Sequence, residues 1–407
     1  MSVGLASAQR LPPWLRVAGV VFGVAWGANQ FSPLLLAYKL HAGLSQSTGD
    51  ALFGVYALGL IPALLVLGPI SDARGRRAIV AGAGLLSVVA SVALIAGEHT
   101  LALLYVGRFL AGVCSGAAFA AGTAHIKELS VSPYDPLASE QAGARRAAVA
   151  LSAGFGLGAL VGGLVAQWAP DPLVTAYVPH LIVMAATLPL LPAAPETVAD
   201  RGSIPSLAAM LRVPSAGHVR FARIVAPAAP WVFAAPSISF AVLPILVADQ
   251  TGSFGVGFAA VIAGLTLGLG ITIQPLARRL DSVQSVRGML VALAAICAGT
   301  LVGALAGATH SWPLVVPAGV LLGGGYGICI VSGLLEIQRI AHRDDLASLT
   351  AVFYALTYVG FAAPIVLTEL ERFASAPLLL VCTAGVVALT AAEVWQEGAA
   401  TSRQKQR

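Results

Sequence analysis

Gly68-Pro69-Ile70-Ser71-Asp72-Ala73-Arg74-Gly75-Arg76-Arg77 lies between two long apolar runs. Each run exceeds the roughly 20 apolar residues that a bilayer crossing needs. The segment is therefore a very short loop that holds an acid, several arginines and two glycines. A carboxylate such as Asp72 can accept hydrogen bonds at a helix N-terminus, where backbone N–H groups are unpartnered. Arg76 or Arg77 can pair with Glu128, at the end of a later apolar run. A mere orientation signal would need arginines but neither Asp nor Gly. Asp72, Arg76, Arg77 and Glu128 thus predict a polar latch.

Composition widens this to the whole chain. Only 10% of its 407 residues are charged, 58% are hydrophobic, and mean hydropathy is +0.87. An ordinary soluble protein carries about 25% charge, so lipid must serve as solvent and the backbone must satisfy itself within helices. The net charge of +5 does not indicate nucleic acid, because the basic residues recur in small clusters between apolar runs. Arg10 and Arg16 precede an apolar run that continues to about Leu36, longer than the ~7–15 residues of a signal-peptide core. That run reads as the first span.

About twelve spans follow from the ~20-residue requirement. Their centres fall near Trp26, Leu58, Ser87, Gly112, Gly158 and Met184, then near Ala234, Leu265, Ile296, Gly325, Tyr358 and Thr383. The organisation expected is an N-terminal six-helix half at 1–194, a linker at 195–222, a C-terminal six-helix half at 223–396 and a short tail at 397–407. Asp200, Arg201, Pro205 and Pro214 mark the linker. An even span count puts both termini on one side. Arg74, Arg76, Arg77, Arg145, Arg146, Arg278, Arg279, Arg339, Arg343 and the tail residues Lys405 and Arg407 share that side, whereas Lys39 and Arg372 fall opposite. The excess predicts cytoplasmic termini. Trp14, Trp168, Trp312 and Trp395 mark span ends, where amphipathic rings favour the interface.

The loop resembles the signature G-x-x-x-D-R-x-G-R-R of the major facilitator superfamily of secondary transporters. Gly68, Asp72, Gly75, Arg76 and Arg77 match, and Ala73 stands where the family usually has Arg or Lys. Leu104, Arg108 and Gly112 are similar to its fourth-helix motif L-x-x-x-R-x-x-x-G. Gly154 to Gly163 resembles the drug/proton-antiporter motif G-x-x-x-G-P-x-x-G-G, with Ala159 in place of Pro. The resemblance implies an all-α polytopic membrane protein with two pseudo-symmetric halves. It implies alternating access, with substrate bound between the halves near the midplane. It also implies a proton gradient as driving force, no cofactor, a monomer, and a latch that stabilises the outward-facing state. The expected function is proton-coupled efflux of small, partly apolar molecules; an uptake permease or a non-transporting receptor is the alternative.

Arg108 is the charge set well inside a span, where it must face protein or water. It either takes part in coupling or caps the carbonyls of a neighbouring helix. Trp26, Asn29 and Gln30 of helix one, Trp231 of helix seven, Tyr326 of helix ten, and Tyr354 and Tyr358 of helix eleven are the candidates to line a substrate cavity. Polar amides prefer a wet cavity to lipid. Pro227, Pro230, Pro236 and Pro244 predict a broken helix seven. Gly112 and Gly116 read as packing, Glu336 as a partner of Arg339 one turn on, and His180 either as a structural residue or as a group that titrates near neutrality. Cys114, Cys297, Cys329 and Cys382 all lie in apolar runs and show no C-x-x-C spacing.

Other classes lack their chemistry. No G-x-x-x-x-G-K-[ST] loop is present for nucleotide, and no H-E-x-x-H for a metal. No charged ring or filter sequence suggests a channel. The partners expected are therefore a small-molecule substrate and the lipid bilayer, without nucleic acid. The location expected is the plasma (cytoplasmic) membrane.

Overall fold

A computed structural model describes residues 11–139, 141–199, 202–204, 206, 212–280, 286–342 and 345–404. Arg10, Asp200, Arg201, Pro205, Arg343, Lys405 and Arg407 lie outside the described residues. The described chain contains 12 helices long and apolar enough to cross a membrane. They are α1 (Pro13–His41), α2 (Gln46–Arg74), α3 (Arg76–His99), α4 (Leu101–Glu128), α5 (Ala142–Trp168), α6 (Pro172–Ala193), α7 (Phe221–Leu246), α8 (Ala248–Thr272), α9 (Arg287–Ala308), α10 (Trp312–Ile340), α11 (Ser348–Leu370) and α12 (Ala376–Ala399). Every span centre read from sequence falls inside its helix. The protein is an integral, multi-pass, all-α membrane protein.

Proline decides where several spans bend. Pro33 has no N–H to give to the carbonyl of Asn29, and α1 is accordingly two pieces, Pro13–Asn29 and Phe31–His41, joined at Gln30. In α7 the short helices Ala226–Ala228, Trp231–Ser237 and Leu243–Leu246 alternate with π-helical turns at Phe221–Val225 and Ile238–Val242. Pro236 and Pro244 each remove one rung of the ladder there, and the widened turns take up the slack. A further π turn, Ala118–Gly122, interrupts α4.

The chain forms two compact units. One comprises Met1–Phe31 with Val55–Leu211, the other Ser32–Gly54 with Arg212–Arg407. The tips of α1 and α2 thus pack in the second unit, although the rest of both helices belongs to the first.

Glycine sets the closest helix contacts in the first unit. Without a hydrophobic force between helices in lipid, contact rests on close van der Waals approach. A Cβ on Gly112 would lie 2.1 Å from the Tyr56 carbonyl oxygen, and one on Gly116 2.6 Å from that of Leu60. These glycines let α4 touch the backbone of α2. In α5, a Cβ on Gly154 would lie 2.4 Å from the Phe22 carbonyl oxygen and one on Gly158 2.5 Å from that of Trp26. The antiporter-like glycine run therefore works as a contact face for α1. Gly156 of the same run meets open space. Gly112→Ala should lower thermal stability by about 1–3 kcal/mol through overpacking, whereas Gly156→Ala should leave the melting temperature unchanged, as followed by tryptophan fluorescence in detergent.

Candidate functional site

Arg108 is the largest fully buried side chain among the described residues, at 1% exposure. Its cage follows from the packing just described. Tyr56 sits on the turn of α2 that Gly112 touches, so its ring reaches back one helical turn to Arg108, with the guanidinium carbon 4.8 Å from the ring centroid. Phe31 of α1 covers the group at 4.4 Å. The Arg108 Nη1–H donates to the Ala28 carbonyl oxygen at 3.2 Å. Two π faces and a carbonyl oxygen offset part of the cost of removing the charge from water.

A second polar cluster lies beside it in the first unit. Gln30 Nε2 donates to Ser91 Oγ at 3.2 Å. His180 is fully buried, with Nδ1 2.9 Å from Ser91 Oγ and Nε2 3.1 Å from Ser87 Oγ. The cluster ties α1, α3 and α6 together. Asn29 Nδ2 turns to the Phe155 carbonyl oxygen of α5 at 3.1 Å. Both amides, read from sequence as cavity candidates, are buried, and their N–H groups donate to these hydroxyl and carbonyl partners. Trp26 is buried too, edge-on to Phe22 at 5.7 Å.

In the second unit the expected aromatic residues part company. Trp231 donates its indole N–H to Thr390 Oγ1 of α12 at 3.2 Å. Tyr358 stacks on Phe233 at 4.6 Å, and Tyr326 lies 5.9 Å from the same ring. Tyr354 contacts Phe353 at 5.8 Å. Phe361 extends the ladder, 5.1 Å from Phe233 and 4.8 Å from Phe53. Phe53, Phe233 and Phe361 were not singled out in the sequence, because an isolated Phe in an apolar run looks like any core residue.

The segment 68–77, expected to be a loop, is helical except at Gly75, where α2 gives way to α3, and its contacts are assembled inside the first unit. Arg76 donates to Glu128 through Nη2 at 2.9 Å and Nε at 3.2 Å, to Ser71 Oγ at 2.7 Å, and pairs with Asp72. Arg77 Nη1 donates to the carbonyl oxygens of Pro192 and Ala194 at 3.1 and 3.0 Å. These partners all belong to the first unit. The acceptor at the N-terminus of α3 is not Asp72 but Glu196, which takes the backbone N–H groups of Arg76 and Arg77 at 2.9 and 3.0 Å. Glu196 follows α6 and escaped sequence reading because nothing local links it to residues 120 positions earlier. Gly75 must be glycine twice over. Its φ is +109°, and a Cβ would lie 2.6 Å from the Glu196 carboxylate. The second unit holds a comparable cluster. Glu336 of α10 accepts from Arg339 at 2.8 Å, as expected, and also from Arg220 at 2.8–3.1 Å.

Burial pulls the Glu196 carboxyl upward, but the backbone N–H groups of Arg76, Val198, Arg77 and Thr197 outweigh it and leave the pKa below its ordinary 4.5. A depressed carboxyl contributes stability above its ordinary pKa and loses it as pH falls through the lower, folded value. Hydrogen-exchange protection of the Arg76 and Arg77 amides should therefore be full at neutral pH and fall only below pH 4.5. Glu196→Gln should cut that protection by about threefold to tenfold at neutral pH and abolish the acid step.

The sequence matches the family profile described as Major Facilitator Superfamily over residues 16–364. The chain belongs to this superfamily, and with its fold this makes it a membrane transporter and not an enzyme. Solved structures agree in fold. A structure of the nucleoside transporter NupG superimposes with a TM-score of 0.71 at 12% identity, covering 95% of this chain and 99% of that one. A POT family transporter in complex with 5-aminolevulinic acid gives 0.74 at 14% identity, covering 96% of each chain. The human organic anion transporter MFSD10 (TETRAN) gives 0.63 at 20% identity, covering 94% of this chain and all of the other, 100%. No curated protein matches the chain.

Proposed function

We propose that this protein is a secondary active transporter that works by alternating access and exports small, partly apolar molecules in exchange for protons. In this reading it acts as a monomer in the plasma membrane, with cytoplasmic termini, and the proton gradient replaces any cofactor. The observation that carries the reading is Arg108, a permanent charge enclosed by Phe31, Tyr56 and the Ala28 carbonyl within a span. An ion buried at such cost marks a substrate or proton pathway by default. The ladder of Phe233, Tyr326, Tyr358 and Phe361 supports a cargo with apolar faces. Proteins of the same fold described as nucleoside and organic anion transporters are consistent with a small organic cargo.

The test is flux. Purified protein in liposomes is given a pH gradient of either sign and a panel of lipophilic cations, organic anions, nucleosides and sugars. Substrate-dependent collapse of the gradient is expected. Arg108→Ala should reduce the rate at least about tenfold, since losing a buried charge-assisted contact costs roughly 1.5–3 kcal/mol. Solute movement down its own gradient without proton flux would overturn coupled export in favour of a facilitator. Binding without any movement would indicate a receptor.

A further inference from the structure

The tip of the first helical hairpin carries an acid that no motif announces. Asp50 lies on the second turn of α2 and is fully buried. Its carboxylate accepts from Thr368 Oγ1 of α11 at 2.6 Å and from Gln46 Nε2 at 3.1 and 3.2 Å. Among the described residues no cation lies within ion-pair distance of it. The charges that face it are Glu371, just past α11, and Lys39, exposed near the end of α1. Glu369 of α11 is taken up by Arg372.

The surrounding contacts run in register along one face of α2. Asp50 meets Thr368, a Cβ on Gly54 would lie 2.6 Å from Ile365 Cδ1, and Phe53 sits edge-on to Phe361 at 4.8 Å and near Phe240 at 6.1 Å. Positions 50, 53 and 54 are one turn apart, so a single stripe of α2 closes against α11 and α7. This stripe ends where the compact units divide, at Gly54 and Val55.

We propose that Asp50 is a proton-binding site that controls closure of this hairpin tip on the face opposite the termini; the proposal rests on the alternating-access reading above. Three neutral-donor bonds only partly offset the desolvation of a buried carboxylate that has no paired cation. The protonated acid has no such penalty. Its O–H donates to Thr368 Oγ1, and the threonine hydroxyl turns to its own helix carbonyl, a common arrangement for helical threonine. The proton comes from water on that face while the tip is open and returns to the same water when it reopens. Closure is therefore fully favoured at low pH and is lost as pH rises through the value Asp50 has in the closed form.

The experiment measures distance and needs no substrate. Cys114, Cys297, Cys329 and Cys382 are replaced by alanine. Spin labels are placed through Ser47→Cys and Phe373→Cys, both at exposed positions of the second unit. Distances are read by pulsed electron resonance in lipid nanodiscs from about pH 5 to about pH 9, a range chosen to span shifted carboxyl values. A short distance should dominate at low pH. A longer one should grow with pH, the ratio rising about tenfold per pH unit, the slope of one proton. Asp50→Asn, neutral at every pH, should hold the short distance throughout. Glu371→Gln, an exposed change, should move the midpoint to lower pH by removing a like charge. A distance distribution independent of pH in the unsubstituted tip, or an Asp50→Asn profile that still titrates like it, would overturn the proposal. Because the labels report without cargo, a titrating tip in a protein that moves no solute would count against the transport reading while supporting the site.

Discussion

Lipid gives the peptide backbone no hydrogen-bond partner, and the whole structure follows from that. Every span must close its own ladder, so the chain is helical wherever it crosses. Lipid also removes the hydrophobic drive between helices. Contact must instead come from close backbone approach, which explains why Gly112, Gly116, Gly154 and Gly158 sit where carbonyl oxygens of neighbouring helices nearly touch them. The same closeness then positions chemistry. Tyr56 reaches the Arg108 guanidinium because α2 and α4 meet without side chains between them.

Charge inside this environment is handled in two ways. Arg108 keeps its charge and is surrounded by ring faces and a carbonyl, which take no proton. Asp50 is surrounded by a hydroxyl and an amide, which suit the neutral acid as well as the anion. A guanidinium cannot be neutralised by deprotonation, whereas a carboxyl can be neutralised by gaining a proton. The fixed charge therefore suits a structural or cargo-binding post, and the acid suits a switch. Outside the spans the logic changes, and the Glu196 carboxylate collects several backbone donors and remains charged.

Proline and glycine mark where the spans give way. Pro33 divides α1 at Gln30, beside the division between the compact units, and the prolines of α7 force π turns into a helix whose rings stack on α10 and α11. A helix with missing rungs bends at low cost, and the break in α7 falls in the helix that carries Phe233 of the aromatic ladder.

The sequence alone determined the class, the twelve spans and the charged loop, because apolar length and arginine spacing are one-dimensional signals that lipid enforces residue by residue. It also marked Arg108, since a lone charge in an apolar run must face protein or water, and it offered Arg76 or Arg77 as the partner of Glu128. Tertiary structure decided the partners. Glu196 displaced Asp72 as the cap of α3, Gln30 and Asn29 turned into packing, Trp231 turned to α12, and Asp50 emerged against Thr368 across 318 positions of chain. Those outcomes depend on which faces meet in three dimensions. The polar residue at a span's end reads identically in sequence whether it faces water or is closed against another helix, and only the packing of α2 on α11 distinguishes the two.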